Sequence, residues 1–447
     1  MKNSGVEWIG EIPDGWEVTP LKKLFSFGKG LPITKENLVE KGLPVISYGQ
    51  IHSKSNTGTK LQSELLRYVS NSYLDSNPNS LVHSGDFIFA DTSEDLEGCG
   101  NCCYIDNEIK LFAGYHTIIL QSKISKDNKY LAYLFKTDEW RKQLREKLVE
   151  VKLYSITQKA LKSTSVILPP KSTQQRIASY LDKKCSKIEE TIQRQQQVIE
   201  KLKAYKQSLI TEAVTGKIKI KNGKACGKYE SYKDSGVEYL GKIPSNWNIK
   251  RLRYIGKCQN GISKGGEFFG SGYPFVSYGD VYNNLTLPET VSGLIESTPE
   301  EQENYSVMAG DIFFTRTSET IEEVGFTSVC LKTIEKATFA GFVIRVRPFT
   351  DELIPDYSKY YFSSDAHRRF FVKEMNLVTR ASLSQDLLKR LPVLIPSKDE
   401  QKEIADYLDK KCTAIDTAIE QKQKLIEKLT EYKKSLIYEC VTGKKAV

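Results

Sequence analysis

Residues 171–217 read "KSTQQRIASYLDKKCSKIEETIQRQQQVIEKLKAYKQSLITEAVTGK". No glycine or proline interrupts the run before Gly216. Leu181, Cys185, Ile188, Ile192, Gln195, Ile199, Leu202, Lys206, Leu209 and Ala213 recur in alternating steps of four and three. That spacing draws one stripe along a helix and is the seam of a coiled coil. The run follows Pro169 and Pro170, with Ser172 the expected N-cap and Gly216 the expected C′ residue. A helix of about 40 residues is roughly 60 Å long.

The run occurs twice. Residues 398–444 match it at roughly 27 of 47 positions, and "YLDKKC" is identical at 180–185 and 407–412. The second seam is Leu408, Cys412, Ile415, Ile419, Lys422, Ile426, Leu429, Lys433, Leu436 and Cys440, with Asp399 and Gly443 at the expected ends. Polar residues recur in register at Gln195/Lys422 and Lys206/Lys433, as expected of one paired seam rather than two unrelated helices. The repeat extends outward. "SGVEWIGEIPDGW" from Ser4 returns as "SGVEYLGKIPSNW" from Ser235, and "PVISYGQ" from Pro44 as "PFVSYGD" from Pro274. "GDFIFADTSE" from Gly85 returns as "GDIFFTRTSE" from Gly310, and "YSITQKAL" from Tyr154 aligns with "ASLSQDLL" from Ala381.

The predicted fold is α+β: two mixed α/β domains separated by two long helices that form an intramolecular antiparallel coiled coil, with a pseudo-twofold internal repeat. The expected boundaries are a first domain at 1–170, a central helix at 171–217, a basic linker at 218–233, a second domain at 234–397 and a C-terminal helix at 398–447. The antiparallel sense follows from the linker. Sixteen residues reach at most about 53–58 Å, and a parallel pair would make the chain travel back along the whole helix before reaching the second domain. Within the domains, "FIFA", "TIIL", "FVIRV" and "SVILP" read as strands, and residues 130–148 and 356–375 each read as one amphipathic helix. Trp8, Tyr239, Trp16 and Trp247 are expected to anchor packing.

With 39% apolar and 10% aromatic residues, the chain is that of a folded protein. No run approaches 18 apolar residues, and the start lacks the apolar core of a signal peptide, so a cytoplasmic location is expected. The formal charge of +9 is compatible with a polyanionic partner but mild for 447 residues. The nine cysteines read as free thiols. Cys99 and Cys102 have metal-ligand spacing, but no second pair accompanies them, and a core role for the cluster is favoured over a metal. No Gly-Lys is followed by Ser or Thr, no G-x-S-x-G is present, and none of His52, His83, His116 and His367 has a histidine at the equivalent repeat position. The pattern points to binding or scaffolding, not catalysis.

The residues that repeat are similar to those of the specificity subunits of Type I restriction–modification systems. The resemblance rests on "GVEWIGEIPDGWEV", on "ISYG" followed by "GD" and "TSE", on "ITQKALKSTSVILPP" leading to "QQRIASYLDKKCSKIE", and on "SLITEAVTGK"; it covers essentially the whole chain. It implies a non-catalytic DNA-binding subunit whose two target recognition domains each read one half of a bipartite, asymmetric site in double-stranded DNA. It implies two methyltransferase subunits docked on the helical spacer, restriction/translocase subunits joined through them, and a role in host defence. It implies no cofactor on this chain, with S-adenosylmethionine expected on the methyltransferase partner. A protein-interaction scaffold, or a degenerate specificity protein that no longer reads DNA, would present the same sequence.

Candidate DNA-binding residues lie beside shared motifs where the halves differ. In the first half they are Tyr48, Gln50, His52, Lys54, Thr92, Ser93, Lys152, Tyr154 and Ser155. In the second they are Tyr278, Asp280, Tyr282, Arg316, Thr317, Ser318, Arg380, Ser382 and Ser384. The shared "SYG" and "TSE" residues serve equally as framework turns. Arg316 stands where the first half has Asp91, a change suited to reading a different base. The identical Asp182, Lys183, Lys184 and Asp409, Lys410, Lys411 fall off the seam and read as a partner-docking patch used twice.

Overall fold

The structure is a computed structural model describing residues 1–6, 8–123, 127–150, 153–318, 323–374 and 381–447. The candidates Lys152 and Arg380 lie outside these described residues. The chain forms two compact units, one of residues 1–195 with 424–447, the other of residues 196–423. Each unit therefore combines a domain, part of the helix that follows it and part of the other long helix.

The long helices are Lys171–Val214 and Lys398–Val441, 44 residues each. Both begin at the first residue of the expected span, but their caps are not the residues expected. The Pro170 carbonyl accepts from Thr173 and Gln174 at 2.9 and 3.0 Å, and the Ser397 carbonyl accepts from Gln401 at 2.9 Å. Ser397 also accepts the Glu400 N–H at 3.3 Å. Pro170 and Ser397 are thus the caps, while Ser172 and Asp399 sit in the first turn, where the Asp399 carboxylate suits the positive end of the helix dipole.

In the first unit Leu181, Cys185 and Ile188 share a core with Leu436, Ile437, Cys440 and Val441, and Ile192 and Leu429 pack at its edge. Rising numbers on one helix meet falling numbers on the other. The second unit repeats this with Leu209, Ile210, Ala213 and Val214 against Ile404, Leu408, Cys412 and Ile415, with Leu202 and Ile419 at the edge. Ile199 is buried and Ile426 half-buried. The polar seam positions pair symmetrically: Lys206 binds Asp416 at 2.7 Å and Lys433 binds Glu189.

Each domain is built on a four-stranded antiparallel sheet. In the first unit the order is Cys102–Tyr104, Phe87–Ala90, Thr117–Ser122, Phe25–Lys29. In the second it is Gly256–Asn260, Val343–Pro348, Ile312–Thr315, Thr327–Val329. The apolar run "FIFA" is buried on both faces because successive side chains enter different cores. Phe87 and Phe89 join the core containing the long helices, while Ile88 and Ala90 join a core behind the sheet. Ile312 and Phe314 divide from Phe313 in the same way. The cysteine cluster follows this pattern: Cys99 and Cys102 lie in the helix-side core and Cys103 behind the sheet. Burial pushes the Cys102 thiol up to about 12.

Each helix expected as a single piece is broken into two. The first domain has Lys129–Leu134 and Asp138–Arg145, the second Pro355–Ser363 and Asp365–Glu374. A hydroxyl makes each break. Thr137 donates to the Leu134 carbonyl at 2.7 Å and accepts the Trp140 N–H at 3.3 Å, and Ser364 donates to the Tyr361 carbonyl at 2.6 Å. Such local side-chain bonds end one helix and open the next. His367 occupies the repeat position of Trp140, enclosed by the rings of Phe362 and Phe371. Burial, reinforced by Arg368, holds its pKa down at about 3.

The basic linker contains a hairpin, Ile220–Lys221 with Lys224–Ala225. Asn222 and Gly223 form its turn, both at positive φ, as a two-residue hairpin turn of this type demands. Gly216 and Gly443 take the left-handed conformation that ends each helix, with φ of 71° and 75°. They also lie against the repeated lead-in segment. A Cβ on Gly216 would fall 2.3 Å from Pro244, and one on Gly443 would fall 2.4 Å from Pro13. Trp247 and Trp16 pack over the same two glycines.

This arrangement separates two costs of replacing glycine. Gly223 has a positive φ but open space, so Gly223→Ala is expected to cost about 1–2 kcal/mol. Gly216→Ala adds a clash with the proline ring and is expected to cost about 3 kcal/mol or more. Calorimetric melting of the two variants checks the difference.

Candidate functional site

In each unit the candidate residues gather on a short helix and a ribbon of short strands, which in the first unit has Val149–Glu150 as a third strand beside Tyr154–Ser155. The helix is Tyr48–Ile51 in the first unit and Tyr278–Asn283 in the second. Gln50 accepts the Ser47 N–H at 3.1 Å. Asp280 accepts both the N–H and the hydroxyl of Ser277, at 2.8 and 2.7 Å, while Ser277 accepts the Asp280 N–H at 3.2 Å. These are capping boxes. They give Gln50 and Asp280 a framework task rather than a free surface.

The ribbon joins motifs far apart in the chain. Thr92–Ser93 pairs antiparallel with Tyr154–Ser155, and Thr317–Ser318 pairs with Ala381–Ser382. The pairing continues where Ile156 donates to the Asp91 carbonyl and Leu383 to the Arg316 carbonyl, both at 2.7 Å. Ser93 turns inward and donates to the Asp95 carbonyl at 2.7 Å. Ser384 caps the helix Gln385–Lys389, accepting the Leu387 N–H at 3.1 Å. Ser318 donates to Glu323 at 2.9 Å.

The surroundings then diverge. In the first unit His52 bridges helix and ribbon, with Nε2 2.8 Å from the Thr92 carbonyl and Nδ1 3.2 Å from the Asn101 amide. A carbonyl only accepts, so Nε2 carries the proton and Nδ1 accepts from Asn101. Tyr48 meets Tyr115 and His116 edge-on, and His116 reaches Asp91 at 3.3 Å. Tyr48, His52, Thr92, Ser93 and Asn101 line a cleft of 590 Å³. In the second unit Tyr278 donates to the Thr317 carbonyl at 2.9 Å and stacks on Tyr282, which meets Phe326 edge-on. Phe342 is 63% exposed beside the ribbon, and its carbonyl accepts the Arg316 N–H at 2.9 Å. Among the described residues, the side chains of Arg316, Thr317, Ser382, Lys54, Thr92 and Ser155 make no hydrogen bond or ion pair. Lys54, Ser155 and Ser382 are exposed, and Tyr154 is half-buried.

Reading by motif missed Asn101, Tyr115, His116, Phe326 and Phe342. One signal was present in the sequence. The first half carries Tyr115-His116 between Gly114 and the next strand, where the second has Phe342 alone. His116 absorbs the extra residue at a φ of 53°.

The repeated "DKK" divides in two. Asp182 accepts from the Tyr133 hydroxyl at 2.6 Å and from Lys129 at 2.8 Å. Asp409 accepts from the Tyr360 hydroxyl at 2.7 Å and from Lys359 at 2.8 Å. The aspartates thus fasten each long helix to its own domain, which is reason enough for their identity. Lys183, Lys184, Lys410 and Lys411 are exposed.

What the ribbons present is a set of hydroxyls, aromatic edges and, in the second unit, a planar guanidinium fork, suited to reading polar groups on a flat ligand. The capping role predicts a loss of stability of about 1 kcal/mol for Asp280→Ala, measured by denaturant unfolding.

Comparison with known proteins gives a consistent result. The chain matches the family described as Type I restriction modification DNA specificity domain, over residues 13–201 and 244–430. It is 21% identical over 446 residues to the Type I restriction enzyme EcoKI specificity subunit of Escherichia coli K12, covering 97% of this chain and 90% of that one. A chain from a structural study of complex assembly and conformational transition in the type I R-M system aligns with a TM-score of 0.71 at 16% identity, over 96% of this chain and 98% of that one. The HsdS subunit of Thermoanaerobacter tengcongensis aligns with a TM-score of 0.53 at 16% identity, over 97% and 98%.

Proposed function

The chain belongs to the Type I restriction–modification DNA specificity family, and on that premise we propose that its two units read the two halves of one bipartite DNA site. It is a specificity subunit, recognises DNA sequence through two domains and is not itself an enzyme. The finer assignments follow from the two ribbons.

One observation carries the reading. The same capped helix and the same pairing of two short strands occur in both units, yet His52, Asp91 and Tyr154 of the first are replaced by Tyr282, Arg316 and Ala381 in the second. Bases are read by side chains that present donors and acceptors in the groove, whereas phosphates ask only for positive charge or N–H groups. A constant frame with changed polar residues is what two readers of different sequence require. Tyr48, His52, Thr92, Tyr154 and Ser155 read the first half-site. Tyr282, Arg316, Thr317 and Ser382 read the second, with Arg316 suited to a guanine through its paired donors. Lys54 supports the first group from the phosphate side.

The exposed lysines of the repeated "DKK" and the outer faces of the long helices dock two methyltransferase subunits, and restriction subunits join through these. The subunit carries no cofactor of its own, S-adenosylmethionine being held by the methyltransferase, and the assembly works in the cytoplasm. Two equivalent docking faces are supported by the close match of the two helices and by the equivalent anchoring of Asp182 and Asp409.

Two outcomes are expected. Mapping of methylated adenines in DNA from cells with and without this gene should show one split motif of fixed spacing that vanishes on deletion; if no such motif disappears, the reading fails. Arg316→Ala should weaken binding to the cognate duplex about 10- to 100-fold, the effect of one lost bidentate contact, without changing the melting temperature of the protein. Titration of the methyltransferase complex with duplexes altered in either half checks that the loss is confined to the second half-site.

A further inference from the structure

A second concavity in the first unit, of 700 Å³, adjoins the cleft described above and shares Asn101 with it. Its walls are the broken helix of the domain and the C-terminal part of the second long helix. Lys136, Arg141, Lys433 and Lys434 converge on it. Lys136 donates to the Thr57 carbonyl at 2.7 Å, and Arg141 donates to the carbonyls of Phe135 and Glu97 at 2.9 and 3.3 Å. Lys433 is paired with Glu189. The acids in the wall are Glu97, Asp138 and Glu139, of which Asp138 is engaged by Arg145 at 3.2 Å. Among the described residues, Lys136, Arg141 and Lys434 have no carboxylate partner.

Lys136 and Arg141 are half-buried and, among the described residues, make no ion pair, which is costly because carbonyl dipoles replace only part of the lost hydration. Burial, and then the neighbouring Lys433, lower the Lys136 pKa to about 8, so it remains largely charged at neutral pH. The second unit supplies the comparison. There Ser363 stands at the repeat position of Lys136 and Gln207 at that of Lys434. The Gln207 amide donates to the Ser363 carbonyl and to Asp365, both at 2.9 Å, so the equivalent concavity is spanned by a neutral group. The first unit has gained two cations where the second satisfies itself.

We propose that this cleft of the first unit binds a phosphate group, one per chain. The ammonium and guanidinium groups supply charge-assisted donors for its oxygens. The phosphate comes either from the DNA backbone beside the reading face or from a free phosphate-bearing ligand. In neither case does the site depend on which bases the two units read.

Pyrophosphate titrated calorimetrically into the full-length chain, at matched ionic strength, is expected to fill one saturable site. Lys136→Met with Lys434→Gln should weaken it at least tenfold. Lys434→Gln alone, at an exposed helix position that the fold does not need, should weaken it several-fold. If duplex DNA displaces the pyrophosphate and Lys434→Gln lowers the salt dependence of DNA affinity by about 0.9, the value for one phosphate, the DNA backbone is the source. Pyrophosphate binding indifferent to DNA identifies a free ligand instead. The proposal is overturned if the chain shows no saturable site and Lys434→Gln leaves the salt dependence unchanged, or if binding is unaffected by both variants. None of these readouts uses methylation, so the phosphate site and the reading of half-sites can fail separately.

Discussion

The antiparallel seam between the two long helices is the contact on which both units depend. Neither domain closes its main core alone. The first needs Leu181 and Ile188 from one helix and Leu436 and Ile437 from the other; the second needs Leu209 and Ile210 with Leu408 and Ile415. Each such buried side chain contributes about 1.5–3 kcal/mol, so four of them match the net stability of an ordinary domain. Lys206 and Lys433 weaken this seam, but each has one acidic partner on the opposite helix. A polar residue that finds its partner in only one alignment fixes the register of a seam.

The seam explains why the helix ends are as uniform as they are. A tryptophan and a proline of the lead-in segment bed onto the glycine that ends each long helix. Neither a side chain at the glycine nor another backbone conformation fits there. At the opposite end, an aspartate of the repeated hexapeptide takes hydrogen bonds from a tyrosine of its own domain. These fixed points hold the domains while their surfaces diverge.

Much of this was legible in the sequence. The heptad stripe in two copies gave the helices and the seam, because a 3.5-residue apolar period has few other solutions, and the short linker gave the antiparallel sense. The glycines at 216 and 443 gave the helix ends, since the left-handed conformation favours that residue. The candidate site was legible in outline: "TSE" and "YS" were singled out separately, and their pairing as a ribbon depends on backbone hydrogen bonds that no side-chain pattern encodes. Gln50, Asp280, Ser93 and Ser384 look like contact residues by type, yet each spends its side chain on a cap or a turn. A polar side chain near a shared motif reads the same whether its hydrogen bond points outward or back to the chain.

The sequence by itself determined the family, the two-fold repeat, a few strands of the sheets and the two long helices, all set by local periodicity and by residues with restricted backbone conformations. Only the tertiary structure decided how the units are composed, where the domain helices break, which hydroxyls are spent internally and that Lys136 and Lys434 share one cleft. Those features rest on contacts between residues far apart in the chain, where burial and hydrogen bonding compete with local preference and prevail.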